Sequence, residues 1–333
     1  ISAGDSNAAL LSFFARVNYD YDNKYLLSLS IRRDESSKFH KDNRVGYFPS
    51  VSAGWNVHQE KWFQNPVMSK LKIRASYGEL GANFLNPYNF DAIAYGPIPY
   101  TVGGERYVTG RAAYLKSKDL KWETAKTTDI GIELGFFNND LTLSLDYFVK
   151  KNVDLLAQID LNLSSGQIFE INSSREKPYV NTASVKNTGW EFMMNYRKQL
   201  TKDFHIDATF NIATLKNKVL SLGENVQPIT SGAMSSYFND AASITMPGEA
   251  IGSFYGYKID GFDAEGNFIF ADTDKNGVVN ANDKVILGSP IPDFTYGLNI
   301  NMEYKDFDLT VFFQGVQGND IFNQKKYTYY FDY

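Results

Sequence analysis

The densest set of metal-seeking side chains lies in Asp272-Thr273-Asp274-Lys275-Asn276-Gly277-Val278-Val279-Asn280-Ala281-Asn282-Asp283. Acidic or amide residues fall at loop positions 1, 3, 5, 9 and 12, with glycine at 6, the spacing of EF-hand and dockerin calcium loops. A hard cation such as Ca²⁺ takes about six to eight oxygens. This spacing wraps the carboxylates of Asp272 and Asp274, the Asn276 amide and the Val278 carbonyl around one point. Asn280 joins directly or through water, and Asp283 closes the set. Asp283 stands where the strongest sites carry Glu, so bidentate binding is harder for its shorter side chain. The competing reading is an Asx-rich turn without an ion. Either way the segment stiffens an exposed loop.

A second group of residues suits organic ligands. The stretch from Gly78 to Arg111 carries Tyr88, Phe90, Tyr95, Tyr100 and Tyr107 beside Asn83, Asn86 and Asn89. Aromatic faces with amide neighbours fit sugar rings or peptide backbones, which makes Asn83, Tyr88, Tyr95 and Tyr100 the candidate ligand-binding residues. The plainer alternative packs these rings on one another or under a covering partner. Catalytic constellations are missing from the sequence. His40, His58 and His205 are scattered outside metal-ligand or triad spacing, and there is no cysteine. Gly103-Gly104 lacks the strand–helix setting of a phosphate cradle, and adjacent acids such as Asp34-Glu35 do not make a glycosidase. No catalytic residue is assigned.

The elements that must position these groups are strands. From Leu141 to Lys150 the odd positions are Leu141, Leu143, Leu145, Tyr147 and Val149, and the even ones mostly polar. Neighbouring side chains of a strand point to opposite faces, so one face is apolar and the other polar. Ten stretches behave this way, near 13–22, 24–33, 51–57, 71–77, 122–136, 141–156, 182–199, 203–216, 293–304 and 307–317. A face carrying Glu191, Asn195 and Arg197 would be costly to dehydrate and must meet water, while Arg16, Asn18, Asp20, Arg32 and Arg74 belong to the same wet side. The apolar face must meet lipid or a second sheet. Aromatics form 15% of the chain, with 22 Tyr and 25 Phe, and many sit at strand ends, which suits interfacial girdles. No apolar run is long enough for a membrane helix, and a barrel needs none. A net charge of −5 without a basic stripe argues against nucleic acid.

The connections alternate. Tight links are expected at Asp22-Asn23-Lys24, 137–140, 200–202 and Lys305-Asp306, and a short helical or irregular insert at 58–70. Long links are expected at 34–50, 78–121, 157–181 and 217–292. Outer-membrane barrels keep tight turns on the periplasmic side and long loops outside the cell, so the fold class is all-β, an antiparallel transmembrane barrel wall. Ten strands without a closing partner would leave unpaired edges in lipid, at several kcal/mol per group. Residues 1–333 are therefore read as part of a single barrel domain whose remaining strands lie elsewhere, beginning after any export sequence.

Particular segments carry a family resemblance. Tyr25-Leu26-Leu27-Ser28-Leu29-Ser30-Ile31-Arg32-Arg33-Asp34-Glu35, Gly46-Tyr47-Phe48-Pro49-Ser50 with Gly54-Trp55, and Leu71-Lys72-Ile73-Arg74-Ala75-Ser76-Tyr77-Gly78 resemble signatures of the SusC/RagA-like TonB-dependent transporters of Bacteroidetes. Trp122-Glu123-Thr124, Lys186 to Glu191, Gly252 to Tyr257 and Asp306 to Gly315 continue the likeness in order. The resemblance implies a barrel of about 22 strands with a plugged lumen in the outer membrane. It also implies a SusD-like lipoprotein lid, a dimer of such pairs, and import of oligosaccharides or oligopeptides powered through the TonB complex. The plug and TonB box are not among these residues. Two rivals stand beside it: a soluble or surface-attached carbohydrate-binding β-protein, and a passive porin.

Overall fold

Tight turns fix where the chain reverses. Asp22 and Asn23 adopt φ of 54° and 52°, the left-handed pair that joins adjacent strands with the correct twist. The computed structural model describes residues 7–85, 94–112, 117–158, 179–223, 226–233, 241–323 and Lys325. Four strands come first: β1 (Leu10–Tyr21), β2 (Tyr25–Ser36), β3 (Val45–Asn56) and β4 (Met68–Ala82). A hairpin of β5 (Ala94–Val102) and β6 (Glu105–Ala112) precedes β7 (Glu123–Phe136), β8 (Leu141–Gln158), β9 (Tyr179–Thr201) and β10 (Phe204–Thr214). Seven short strands follow: β11 (Lys216–Ser221), β12 (Ile229–Ala233), β13 (Ala241–Thr245), β14 (Ser253–Tyr257), β15 (Ile259–Phe262), β16 (Phe268–Phe270) and β17 (Lys284–Gly288). The last two are β18 (Phe294–Tyr304) and β19 (Phe307–Gln317).

One antiparallel path runs β1-β2-β3-β4-β7-β8-β9-β10-β18-β19, with β11 added against β9. These are the ten alternating stretches, each paired with its neighbour along the chain. A single row of partners passes from Tyr21 through Tyr25, Trp55, Ile73, Ile132, Leu145, Phe192, Ile212 and Tyr296 to Gly315. It starts at the turn end of β1 and arrives near the opposite end of β19. That steady stagger is the shear that tilts strands in a barrel wall.

Nothing in the described residues covers the apolar face. Leu29, Ile31, Ile73, Ile130 and Trp190 are exposed, and Leu143, Ile132, Leu298 and Phe210 are only half-buried. The chain exposes 22920 Å². A compact soluble protein of 37.6 kDa would expose about 14,000 Å². An uncovered sheet contributes to that excess. Buried hydrophobic clusters sit instead at the long-connection end. One joins Phe39, Phe48, Leu85, Leu120 and Trp122, and another joins Ala183, Val185, Val219 and Leu222.

Several boundaries differ from the sequence reading. β3 begins at Val45 and passes through Pro49, because Pro49 pairs only with β2 while the β4 ladder starts at Ser50. There the missing proline N–H costs no ladder bond. The 78–121 link holds the end of β4 and the β5–β6 hairpin. The 217–292 link holds six short strands and most of β11, including a four-stranded sheet ordered β12-β13-β14-β17. The insert after β3 is one 3-10 turn, Val57–Gln59, followed by an irregular stretch.

Candidate functional site

Strand parity assembles a polar surface that no single segment contains. In β4, Lys72 and Arg74 share the face opposite Ile73 and Ala75, and in β7 Asp129 and Glu133 face the same way. Arg74 sits opposite Gly131, which sits opposite Asp146 of β8. The Arg74 guanidinium meets Asp129 at 2.9 Å, Asp146 at 2.5 Å and Glu133 at 3.4 Å. Lys70 reaches Glu133 at 2.7 Å and Lys72 reaches it at 3.8 Å. Asp146 is 7% exposed and also accepts from the Ser144 hydroxyl at 2.9 Å. Arg74 reaches it only because Gly131 has no side chain. A Cβ there would lie against the Asp146 carboxylate and the Arg74 Nε. Arg197 and Asp207 form a further pair at 2.6 Å across β9 and β10. Charges paired this way are stable beside a wet cavity and would be costly against acyl chains.

Arg74 is among the residues assigned to the wet side from sequence, and its three carboxylate partners are what that reading missed. The available signal was a glycine at the wet position between charged residues on both neighbouring strands.

The Asp272–Asp283 loop is the second site. Among the described residues it holds the one cluster of three or more potential metal-ligating side chains, Asp272, Asp274 and Asp283, with oxygens within 4.8 Å of one another. Asp272 accepts from the N–H groups of Asn276 at 3.1 Å and Gly277 at 2.7 Å. Gly277 has φ 86°, which makes the sharp turn at loop position 6. Asp283 is fully buried and closes a capping box with Asn280 at the 3-10 turn Ala281–Asp283. Its Oδ1 accepts from the Thr273 N–H at 2.7 Å, the Thr273 hydroxyl at 3.3 Å and the Asp274 N–H at 3.3 Å. Among the described residues its Oδ2 accepts from the Asn280 N–H alone, at 2.8 Å. The Asn280 N–H first, then those of Asp274 and Thr273, hold this carboxyl below its ordinary range against the opposing effect of burial.

These contacts test the fit to a cation. Oδ1 of Asp283 is saturated and Oδ2 keeps a free lone pair, so Asp283 can offer one oxygen but not two. The Asn280 amide oxygen already caps the Asn282 N–H at 2.9 Å, which suits a water-bridged role. Asp272 and Asp274 retain lone pairs, as does the Val278 carbonyl, which accepts from Asn280 Nδ2 at 3.1 Å. The donor set is all oxygen and fits a hard divalent cation.

Of the candidate ligand-binding residues, Asn83 lies just past the end of β4. Asn83 donates to the Ser36 hydroxyl at 3.1 Å, and its carbonyl accepts from Lys38 at 3.3 Å. Tyr95 and Tyr100 lie on β5, paired with Arg111 and Tyr107 of β6. Tyr88 lies outside the described residues. The histidines are local: His40 faces Asp42 at 3.0 Å and His58 Nδ1 lies 3.0 Å from the Leu71 carbonyl.

Comparison with known proteins agrees with this geometry. A family model described as TonB dependent receptor-like, beta-barrel matches residues 2–332. The TonB-dependent receptor P3 of Formosa agariphila is 36% identical over 332 residues, covering 94% of this chain and 32% of the relative. The TonB-dependent receptor SusC of Bacteroides thetaiotaomicron is 33% identical over 324 residues, covering 90% of this chain and 30% of that protein. The chain thus spans about a third of the length of the curated relatives it matches. Among solved structures, the RagAB peptide importer in its open-open state matches in fold with a TM-score of 0.78 at 24% identity, covering 94% of this chain and 33% of that one.

Proposed function

The chain belongs to the TonB-dependent receptor β-barrel family of the outer membrane, and we propose that it supplies ten strands to the wall of a SusC-like importer. Residues 1–333 form part of one barrel domain, completed by a plug and further strands of a longer protein. The cargo is an oligosaccharide or oligopeptide, delivered beneath a SusD-like lipoprotein lid in a dimer of such pairs. Energy comes through the TonB complex. One observation carries this reading: an ion-paired polar face backs directly onto a bare apolar face along the same ten strands. The likeness to the SusC receptor and, in fold, to the RagAB peptide importer supports it. Asn83, Tyr88, Tyr95 and Tyr100 remain the candidates for touching cargo.

Cells carrying the full-length receptor should accumulate labelled oligosaccharide or oligopeptide, and collapse of the proton gradient should abolish this. Uptake that persists without the gradient would instead identify a passive pore.

The Asp272–Asp283 loop takes Ca²⁺ in this reading. Asp272, Asp274, Asn276 and the Val278 carbonyl hold it directly, Asp283 through Oδ2, and Asn280 through water. The ion neutralises clustered carboxylates and stiffens an extracellular loop, with affinity near 0.1–1 mM, as is common for extracellular modules. Calorimetric titration of the full-length receptor should give a binding heat that Asp272→Ala removes. An equal heat in wild type and variant would refute the site.

A further inference from the structure

No long basic run exists in the sequence, yet the strand register builds a basic row. Lys126 of β7 lies opposite Lys151 of β8, Lys151 opposite Lys186 of β9, and Lys186 opposite Lys218 of β11. Alternation puts all four on the apolar face of the wall. Lys126 shares parity with Ile130 and Ile132, Lys151 with Leu145 and Tyr147, and Lys186 with Trp190 and Phe192. Val185 and Val219, next to Lys186 and Lys218 in the chain, are buried on the other face.

Like charges directly opposite one another destabilise a sheet. Relief from within the chain is small. Lys126 meets Glu79 at 3.3 Å, while Lys151, Lys186 and Lys218 make no ion pair among the described residues. Lys151 and Lys218 are exposed and Lys186 is half-buried. The row therefore calls for an external anion.

Position identifies that anion. Lys126 and Lys151 stand ten residues from Phe136 and Leu141 at the tight turn. Ten residues of tilted strand rise about 25 Å, the height of the apolar band on an outer-membrane wall. Four residues nearer the turn on the same face, Tyr147 and Trp190 pack at 4.8 Å, and such rings mark the lipid–water boundary. The lysines are thus level with the headgroups of the outer leaflet, where anionic lipid attracts basic clusters. A second copy in a two-fold contact here would set lysine against lysine. Three strand spacings make a strip about 14 Å long, wide enough for a headgroup with several phosphates. We propose that Lys126, Lys151, Lys186 and Lys218 form a docking strip for a phosphorylated glycolipid of the outer leaflet. The ammonium groups pair with its phosphates, and Tyr147 and Trp190 bed its sugar–acyl boundary. This rests on the lipid-facing reading of the apolar face and adds a bound lipid to it.

Purified full-length receptor in detergent is titrated with lipopolysaccharide, comparing wild type, the double variant Lys151→Gln/Lys186→Gln, and Lys150→Gln. Lys150 precedes Lys151 in β8 and faces the other way. The double variant should lose affinity about tenfold or more, and Lys150→Gln should keep it. Heat-modifiable migration on gels shows that both variants remain folded. Unchanged affinity in the double variant overturns the strip, as does an equal loss in Lys150→Gln. Equally tight binding of phosphatidylglycerol overturns the glycolipid assignment. A photo-crosslinker at position 151 in cells should label glycolipid, and adducts to protein alone overturn the strip too. Lipid-borne nitroxide that fails to quench a fluorophore on Leu143→Cys instead overturns the lipid-facing reading beneath it.

Discussion

Arg74 divides its guanidinium among Asp129, Glu133 and Asp146, and Gly131 leaves the space in which the last of these contacts forms. Removing the cation strands Asp129 and Asp146 at positions that water reaches only in part, and leaves Glu133 to Lys70 and Lys72. Arg74→Ala should therefore cost about 1–2 kcal/mol, less than a fully buried pair would, because the guanidinium is itself partly solvated. Denaturant unfolding of the full-length receptor in detergent would measure this. Gly131→Ala should cost a similar amount by driving Asp146 aside. Adding Asp146→Ser to Gly131→Ala should recover part of the loss, since the shorter side chain vacates the space. Additive losses in the double variant would contradict the steric account. Asp283 gives a pH prediction in the same loop as the proposed ion. Its folded pKa lies below the ordinary carboxylate value of about 3.9, so its stabilising contribution is complete above about pH 4 and is lost as pH falls through the lowered value. Amide protection of Thr273, Asp274 and Asn280 should hold at neutral pH and disappear in strong acid. Protection unchanged in strong acid would show that the loop closes without this carboxylate.

At the scale of elements, the long-connection end is braced by aromatic packing. Trp122 packs tilted against Phe39 at 5.2 Å and edge-on against Phe48 at 5.6 Å, and donates its indole N–H to the Arg44 carbonyl at 2.9 Å. This pins the β2–β3 loop to the segment entering β7. Trp122→Ala should cost about 3–5 kcal/mol locally, exposing residues 37–44 to limited proteolysis while the wall strands stay resistant. The wall strands were legible in the sequence because a period of two persisted over ten or more residues in stretches such as 141–150 and 294–304. The turns at Asp22-Asn23 and Lys305-Asp306 were legible from their chemistry. The strands β12 to β17 were not, because three to five residues alternate too briefly to separate from loop. The Arg74 cluster was out of reach for another reason. Its members lie up to 72 residues apart, and only the β4–β7–β8 register brings them together. The cluster of Asp272, Asp274 and Asp283 was legible, since its members are local, although the saturation of Asp283 Oδ1 was not.

In the whole molecule as proposed, one face of the sheet lies in acyl chains and the other faces the barrel lumen. A charge placed on the lipid side should therefore cost far more than one placed inside. Leu143→Arg should destabilise the folded barrel by about 2–4 kcal/mol, while Ser144→Arg on the opposite face should cost less than about 1 kcal/mol. The most direct measurement uses the chain's lack of cysteine. Single cysteines placed in turn from Leu141 to Val149 of the full-length receptor in membranes can be probed with a charged, water-soluble thiol reagent. Positions 142 and 144 should react and positions 141, 143, 145 and 147 should not, the latter being quenched by lipid-borne nitroxide when carrying a fluorophore. Equal aqueous reactivity at successive positions, or apolar positions shielded from both water and lipid, would contradict the account.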